Sequence, residues 1–153
     1  MRDFIPHKKM IYVLYGQPAS GKTTLGGLLA NHLDTPFIID GDEFRKMFKN
    51  EDYGFVGREK NIRAANAVAT YLNKKSNAEG HVVISLVNPY KQFRNELLED
   101  NEGQVVEVLL CSTRELRKEH HVKDFEIGNP HCIINTDKEI ETTWEKLKER
   151  LRV

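Results

Sequence analysis

Cysteine is scarce in this sequence: Cys111 and Cys132 are the only two in 153 residues. Each adjoins an apolar run and neither has metal-ligand spacing, so both read as reduced, partly buried thiols rather than a disulfide or zinc framework. Charge of one sign is also lacking. Lys and Arg together number 23, as do Asp and Glu, and the formal charge is zero. That removes the broad electrostatic case for nucleic acid as a partner and leaves only a local basic pocket open. No apolar run approaches the ~18 residues of a membrane span. The stretch Met1-Arg-Asp-Phe-Ile-Pro-His-Lys-Lys9 has no signal-peptide apolar region. A cytoplasmic chain with no membrane partner is therefore expected. There is no internal repeat, low-complexity tract or linker, and the length suits one domain over 1–153 with a sizeable core. The adjacent His120 and His121 point apart if helical, and read as surface or lid residues rather than a metal pair.

What is present is alternation. Apolar β-prone runs at Met10–Tyr15, Phe37–Asp40, His81–Val87, Gln104–Leu110 and Cys132–Asn135 alternate with helix-like segments. The predicted helices run over Thr24–Leu33, over Gly41–Phe48, from Gly57 to about Ser76, and over Lys91–Asp100. Capping-box patterns at Ser112-Thr-Arg-Glu115 and Thr136-Asp-Lys-Glu139 predict two more, the latter reaching about Leu151 with Trp144 and Leu147 docked on the sheet. The order predicts an α/β fold in three layers, with a mostly parallel five-stranded sheet and helices on both faces. Ligands then gather at the carboxyl ends of the strands. The polar stretch around 117–131, containing Gly128-Asn-Pro130, is the candidate lid.

The most specific signal is Gly16-Gln17-Pro18-Ala19-Ser20-Gly21-Lys22-Thr23, followed by Thr24. It fits G-x-x-x-x-G-K-[ST] between a predicted strand and a predicted helix, the context that a phosphate-binding loop requires. Glycines let the backbone wrap a phosphate, and successive N–H groups with the helix start hold the anion. Lys22 is expected to reach the β- and γ-phosphates of ATP, and Thr23 to offer its hydroxyl to Mg²⁺. Asp40-Gly41-Asp42 ends the second strand and Asn88-Pro89-Tyr90 the third, so three distant segments converge on one rim. One of Asp40 and Asp42 could hold water on Mg²⁺ while the other accepts a proton from an attacking hydroxyl; either also suits a helix cap. Arg58 and Asn61 share a helical face with the right chemistry for an anion, as has Arg45, whereas Glu59 and Lys60 read as solvated. Arg63 is left open between the two. Tyr53-Gly-Phe55 and Lys123-Asp-Phe125 put aromatics in polar stretches, able either to stack on a base or to cover the core.

Taken together, the phosphate loop, Asp40-Gly-Asp-Glu-Phe-Arg45, Tyr53-Gly-Phe55, Arg58-Glu-Lys-Asn-Ile-Arg63 and Asn88-Pro-Tyr90 followed by Arg94 resemble the adenylylsulfate kinase family over roughly Ile11 to Leu110. The resemblance implies a P-loop kinase fold, ATP and Mg²⁺ as cofactors, and transfer to the 3′-hydroxyl of adenosine 5′-phosphosulfate. It implies that Lys22, Asp42 and Asp40 serve catalysis. Arg45, Arg58, Asn61, Asn88, Tyr90 and Lys123 then lie at the substrate, and Phe55 and Phe125 sandwich its adenine. Many members of the family pair up, so a homodimer is among the expectations. Two departures stand out. Asn88 occupies the family's usual serine position, which excludes a phosphoserine route there and leaves direct in-line transfer. The family's long basic lid is reduced to Glu119-His-His-Val-Lys-Asp-Phe125, leaving Arg117, Lys118 and Lys123 to take its part. The short lid keeps two further readings in view: a kinase for another small alcohol, such as a nucleoside, sugar or antibiotic, and a nucleotide-binding module without catalysis.

Overall fold

In the computed structural model, which describes residues 8–75, 80–115 and 117–153, the first apolar run becomes the central strand β1 (Ile11–Tyr15). Residues 1–7 and the predicted helix end at Ser76 lie outside the described residues. Four more strands follow: β2 (Ile38–Asp40), β3 (Val82–Leu86), β4 (Val105–Cys111) and β5 (Cys132–Asn135). They form one five-stranded sheet in the order β2-β3-β1-β4-β5, with every pairing parallel. Helices α1 (Lys22–His32), α2 (Gly41–Met47), α3 (Phe55–Lys75), α4 (Lys91–Asp100) and α5 (Ile140–Leu151) connect or follow the strands, with α2 and α3 both between β2 and β3 and, among the described residues, only a 3₁₀ turn between β4 and β5. This is the α/β architecture that the sequence predicts.

The unbroken apolar strands are explained by burial on both sides. Along β1, Ile11, Val13 and Tyr15 face a core shared with Ile62, Ala65 and Ala69 of α3 and Phe93 and Leu97 of α4. Tyr12 and Leu14 face the opposite core, with Leu25 and Leu29 of α1 and Leu147 and Leu151 of α5. Trp144 is only half-buried and meets His32 of α1 edge-on, with ring centroids 5.6 Å apart. Two positions inside strands break the apolar rule. Ser85 donates to the Lys22 carbonyl at 3.0 Å, tying β3 to the start of α1. Glu107 falls between Val105 and Leu109, both of which belong to the α3/α4 core, and its carboxylate lies 3.4 Å from Arg94 Nε of α4.

Neither capping-box pattern caps a helix. No helix starts at Ser112: Ser112–Glu115 is irregular, Leu116 lies outside the described residues, and only a short 3₁₀ turn at Lys118–His120 follows. The last helix starts at Ile140 with no side-chain cap, four residues beyond Thr136. Instead the two segments bind each other. Ser112 Oγ and Thr113 Oγ1 donate to the Asp137 carboxylate at 2.7 and 2.9 Å. Arg114 donates to the Thr136 carbonyl at 2.7 Å, and Thr136 Oγ1 donates onward to the Ser20 carbonyl at 2.7 Å. These hydrogen bonds pull the exposed Asp137 carboxyl down to about 2, Ser112 contributing most.

Candidate active site

Because β1 pairs with β3, the loop after β1 lies beside the turn after β3. Gly16 N–H donates to the Val87 carbonyl at 3.3 Å. The approach leaves no room for a side chain, since a Cβ on Gly16 would meet the Leu110 carbonyl at 2.4 Å. At the other end of the loop Gly21 turns the chain into α1 with φ +94°, a conformation that favours glycine. Lys22 is buried inside this turn. Its Nζ donates to the Gln17 carbonyl at 2.8 Å and to Ser20 Oγ at 3.2 Å, both neutral acceptors. Burial therefore lowers its pKa to about 8 despite the nearby Asp42 and Asp40.

The two aspartates do different things. Asp40 is buried and fully employed: it accepts from Thr23 Oγ1 at 2.6 Å and caps α2 through Asp42 N–H at 2.9 Å and Glu43 N–H at 3.3 Å. Asp42, two residues along, is exposed, and its Oδ2 lies 3.3 Å from Arg117 Nη1. Both line a cavity of about 290 Å³ with Pro18, Ala19, Lys22 and Thr23 of the loop, Thr24 after it, and Arg45, Arg58, Asn61 and Asn88. Its charge is uneven: Lys22, Arg45, Arg58, Arg114 and Arg117 stand against Asp40 and Asp42. A chain of zero formal charge thus carries a strongly cationic hollow at this site.

Arg45 and Arg58 are held rigidly. The Arg45 guanidinium lies 4.1 Å from the Tyr53 ring centre and donates to the Asp52 carbonyl at 2.9 Å. Arg58 donates to the carbonyls of Tyr53 at 2.8 Å and His120 at 2.6 Å. Burial pushes both guanidinium groups below the ordinary arginine range, and for Arg58 the proximity of Arg45 adds to it. His120 stacks on Tyr53 at 4.2 Å between ring centroids, so the shortened lid lies directly over this corner. Arg63 settles as a surface residue, paired with Glu59 and Glu96 at 3.0 Å each.

Some predicted site residues lie elsewhere. Phe55 is 52% exposed and packs on Tyr90, with centroids 4.9 Å apart. Phe125 stacks flat on Tyr15 at 6.1 Å and borders a second, smaller hollow with Gln17, Ser20 and Cys111. Phe55, Tyr90, Lys123 and Phe125 do not line the cationic cavity. Gln17 is turned to the lid, its amide exchanging hydrogen bonds with the Val122 main chain at 2.7 and 2.9 Å. Sequence reasoning missed Arg114 and Ser85 as cavity residues, and took Tyr53 for a base-stacking or core aromatic rather than a platform for arginines. Arg114 carried a signal for another role, inside a capping-box pattern. Among the described residues no cluster of three or more His, Cys, Asp or Glu could hold a metal, and no helix is long and apolar enough to cross a membrane.

Comparison with known proteins bears on this site. A family model described as adenylylsulphate kinase matches residues 8–129. An APS kinase of Mycobacterium tuberculosis, solved with AMPPNP and APS, superposes with a TM-score of 0.73 at 18% identity, over 95% of this chain and 99% of that one. A gluconokinase of Sinorhizobium meliloti has a TM-score of 0.69 at 18% identity, over 95% of this chain and 93% of its own. A curated adenylate kinase of Chlamydia caviae is 46% identical over 41 residues, which is 27% of this chain and only 19% of that protein's length.

Proposed function

Since the chain belongs to the adenylylsulphate kinase family, we propose that it transfers the γ-phosphoryl group of ATP to the ribose 3′-hydroxyl of adenosine 5′-phosphosulfate. One observation carries the reading: a single cationic cavity is lined by the phosphate loop, both aspartates after β2, and Arg58 with Asn61 of α3. Lys22, buried on neutral acceptors, is the group that an incoming phosphate would neutralise. The residues present also fit the metal. Thr23 Oγ1 and Asp40 Oδ2 are hard oxygen donors 2.6 Å apart, and Mg²⁺ bound to a nucleotide needs only one or two protein oxygens. When bound, Mg²⁺ would be held by Thr23 and Asp40 and would offset the negative charge of the phosphates.

The division of labour between the aspartates follows from their partners. Asp40 is committed to Thr23 and to the α2 cap, so it orients. Asp42, with a single exposed contact to Arg117, is the carboxylate left to accept the acceptor's proton as its oxygen bonds to Pγ and the bridging oxygen of ADP departs. Arg58, with Asn61 beside it, holds the acceptor's anionic group. Replacement of Arg58 by Ala is expected to raise the acceptor KM by about 10–100-fold, the worth of a charge-assisted contact, with a smaller change in kcat. A near-normal KM would remove Arg58 from the acceptor site. A cytoplasmic location goes with this reading and with the two free thiols.

The Lys22 ammonium gives a pH test. With its pKa near 8 in the free protein, the side chain is charged at pH 7 and loses its proton above about pH 8. A polyphosphate favours the charged form, so nucleotide binding raises the pKa and takes up a proton. The Kd for ATP is therefore expected to worsen as pH climbs above about 8, by up to about tenfold per unit. Calorimetry in two buffers of different ionisation enthalpy reads the proton uptake directly. An ATP affinity flat from pH 7 to 9.5 would contradict it.

A second reading, a kinase for a small polyhydroxy alcohol or acid, is favoured by the two phenylalanines. Phe55 packs on Tyr90 and Phe125 on Tyr15, so neither phenylalanine lines the cavity to bracket a base. An acceptor screen by ATP consumption and product mass spectrometry decides between the two: turnover of gluconate or a similar polyol, without turnover of adenosine 5′-phosphosulfate, selects this one.

A further inference from the structure

We infer that the side-chain amide of Asn88 sets acceptor specificity by reading two adjacent hydroxyls, a vicinal diol; the inference rests on the phosphotransfer reading above. Asn88 lines the cationic cavity at the end of β3 and is only 1% exposed. Both atoms of its amide, Oδ1 and Nδ2, are buried without a hydrogen-bond partner. The large majority of buried amide atoms are paired, and Asn88 is the one asparagine among the described residues with both amide atoms buried and idle, so its place beside a cavity points to a ligand that completes them. The main chain is already fixed: the Asn88 carbonyl accepts from Arg94 Nη1 at 2.7 Å, and φ is +47°. The side chain is thus aimed by its backbone and spent on nothing else.

The chemistry of the missing ligand follows from the amide. It accepts at Oδ1 and donates at Nδ2 in one plane. Two neighbouring hydroxyls match it, one donating to Oδ1 and the other accepting from Nδ2. Asn61 Oδ1, also buried and unpartnered in this cavity, can take a further hydroxyl proton where the acceptor is a polyol. Asp42 remains for the reacting hydroxyl. A simpler account holds that asparagine is there because it tolerates the left-handed backbone. Glycine would do that better and would leave no polar atoms unpaired.

That contrast supplies the variant. Asn88→Gly keeps the backbone and removes the amide. The ribose arm compares adenosine 5′-phosphosulfate with its 2′-deoxy analogue; the sugar arm compares gluconate with a singly deoxygenated gluconate. In the natural protein the acceptor that turns over should lose about 10–100-fold in kcat/KM on losing one hydroxyl. In Asn88→Gly the intact acceptor should suffer a comparable loss, carried by KM, and the preference over the deoxy analogue should vanish. The Tm should be unchanged. Retained discrimination in Asn88→Gly, or none in the natural protein, overturns the inference. Turnover of gluconate alone defeats the adenylylsulfate reading while leaving Asn88 to be judged on the sugar arm. As a readout apart from turnover, the Asn88 side-chain amide resonances, identified by their loss in Asn88→Gly, should shift when either acceptor is added. No shift and no turnover with both acceptors overturns it as well.

Discussion

Lys22→Ala is expected to lower the phosphoryl-transfer rate by at least about 10²–10³-fold, the scale of removing one preorganised charge donor, while leaving the fold as stable as before or more so. The two signs have one cause. The Lys22 ammonium is buried and bonded only to the Gln17 carbonyl and Ser20 Oγ, and burial pulls its pKa to about 8. Below pH 8 the native state therefore carries a charge that the unfolded chain solvates better. Removing the ammonium relieves that cost and raises Tm by about 2–4 °C for each kcal/mol relieved in a chain of this size. It also empties the position from which phosphates would be held. A coupled ATP-consumption assay and a thermal melt on the same preparation test both signs. A rate within tenfold of normal would remove Lys22 from the chemistry, and a clear fall in Tm would refute the account of its burial.

Glu107→Ala is the substitution expected to harm stability most. Glu107 is buried mid-strand on the α3/α4 side of the sheet, facing an equally buried Arg94. Truncating one partner strands the other's charge in the interior, at a cost of about 3–5 kcal/mol, or a Tm lower by roughly 10 °C. Replacing both partners by apolar residues, as in Glu107→Leu with Arg94→Met, should recover most of that loss. Activity should not return with it. Arg94 also donates to the carbonyls of Asn88 at 2.7 Å and Glu126 at 2.5 Å and lies 4.4 Å over the Tyr15 ring. Denaturant melts of the single and double variants measure the first effect, and kcat/KM of the double variant the second. A single variant that melts within about 2 °C of the parent would show that the pair is not coupled as described.

Much of this was legible before the fold. The parallel sheet could be read because doubly covered strands are continuously apolar, and because strand and helix signals alternate. The phosphate loop, Asp40 and Asp42 could be read because their spacing puts charged and glycine residues at strand ends, and Arg58 with Asn61 because a spacing of three sets them on one helical face. What misled was local pattern with a distant partner. Ser112-Thr-Arg-Glu115 and Thr136-Asp-Lys-Glu139 both have the form of helix starts, yet their hydroxyl, carboxylate and guanidinium groups are consumed by one another across 22 to 25 residues. Local preference cannot register such a competitor. Glu107 gave no warning either, since one charge in an apolar run is silent until its counter-ion is known. Tyr53 was misjudged for the same reason: its place is set by Arg45 and His120, which reach it from α2 and from the lid.

The Gln17 amide, joined on both its edges to the Val122 main chain, welds the anion-binding turn to the cover above the opposite corner. The cover is pinned there by His120 on Tyr53 and Arg58. A molecule seated in the turn and a molecule seated beneath the cover would therefore press on two stretches of chain joined at the Gln17 amide. Whatever one guest does to the other's affinity, the second must return to the first in equal measure. Gln17 is the physical link through which any such exchange would pass.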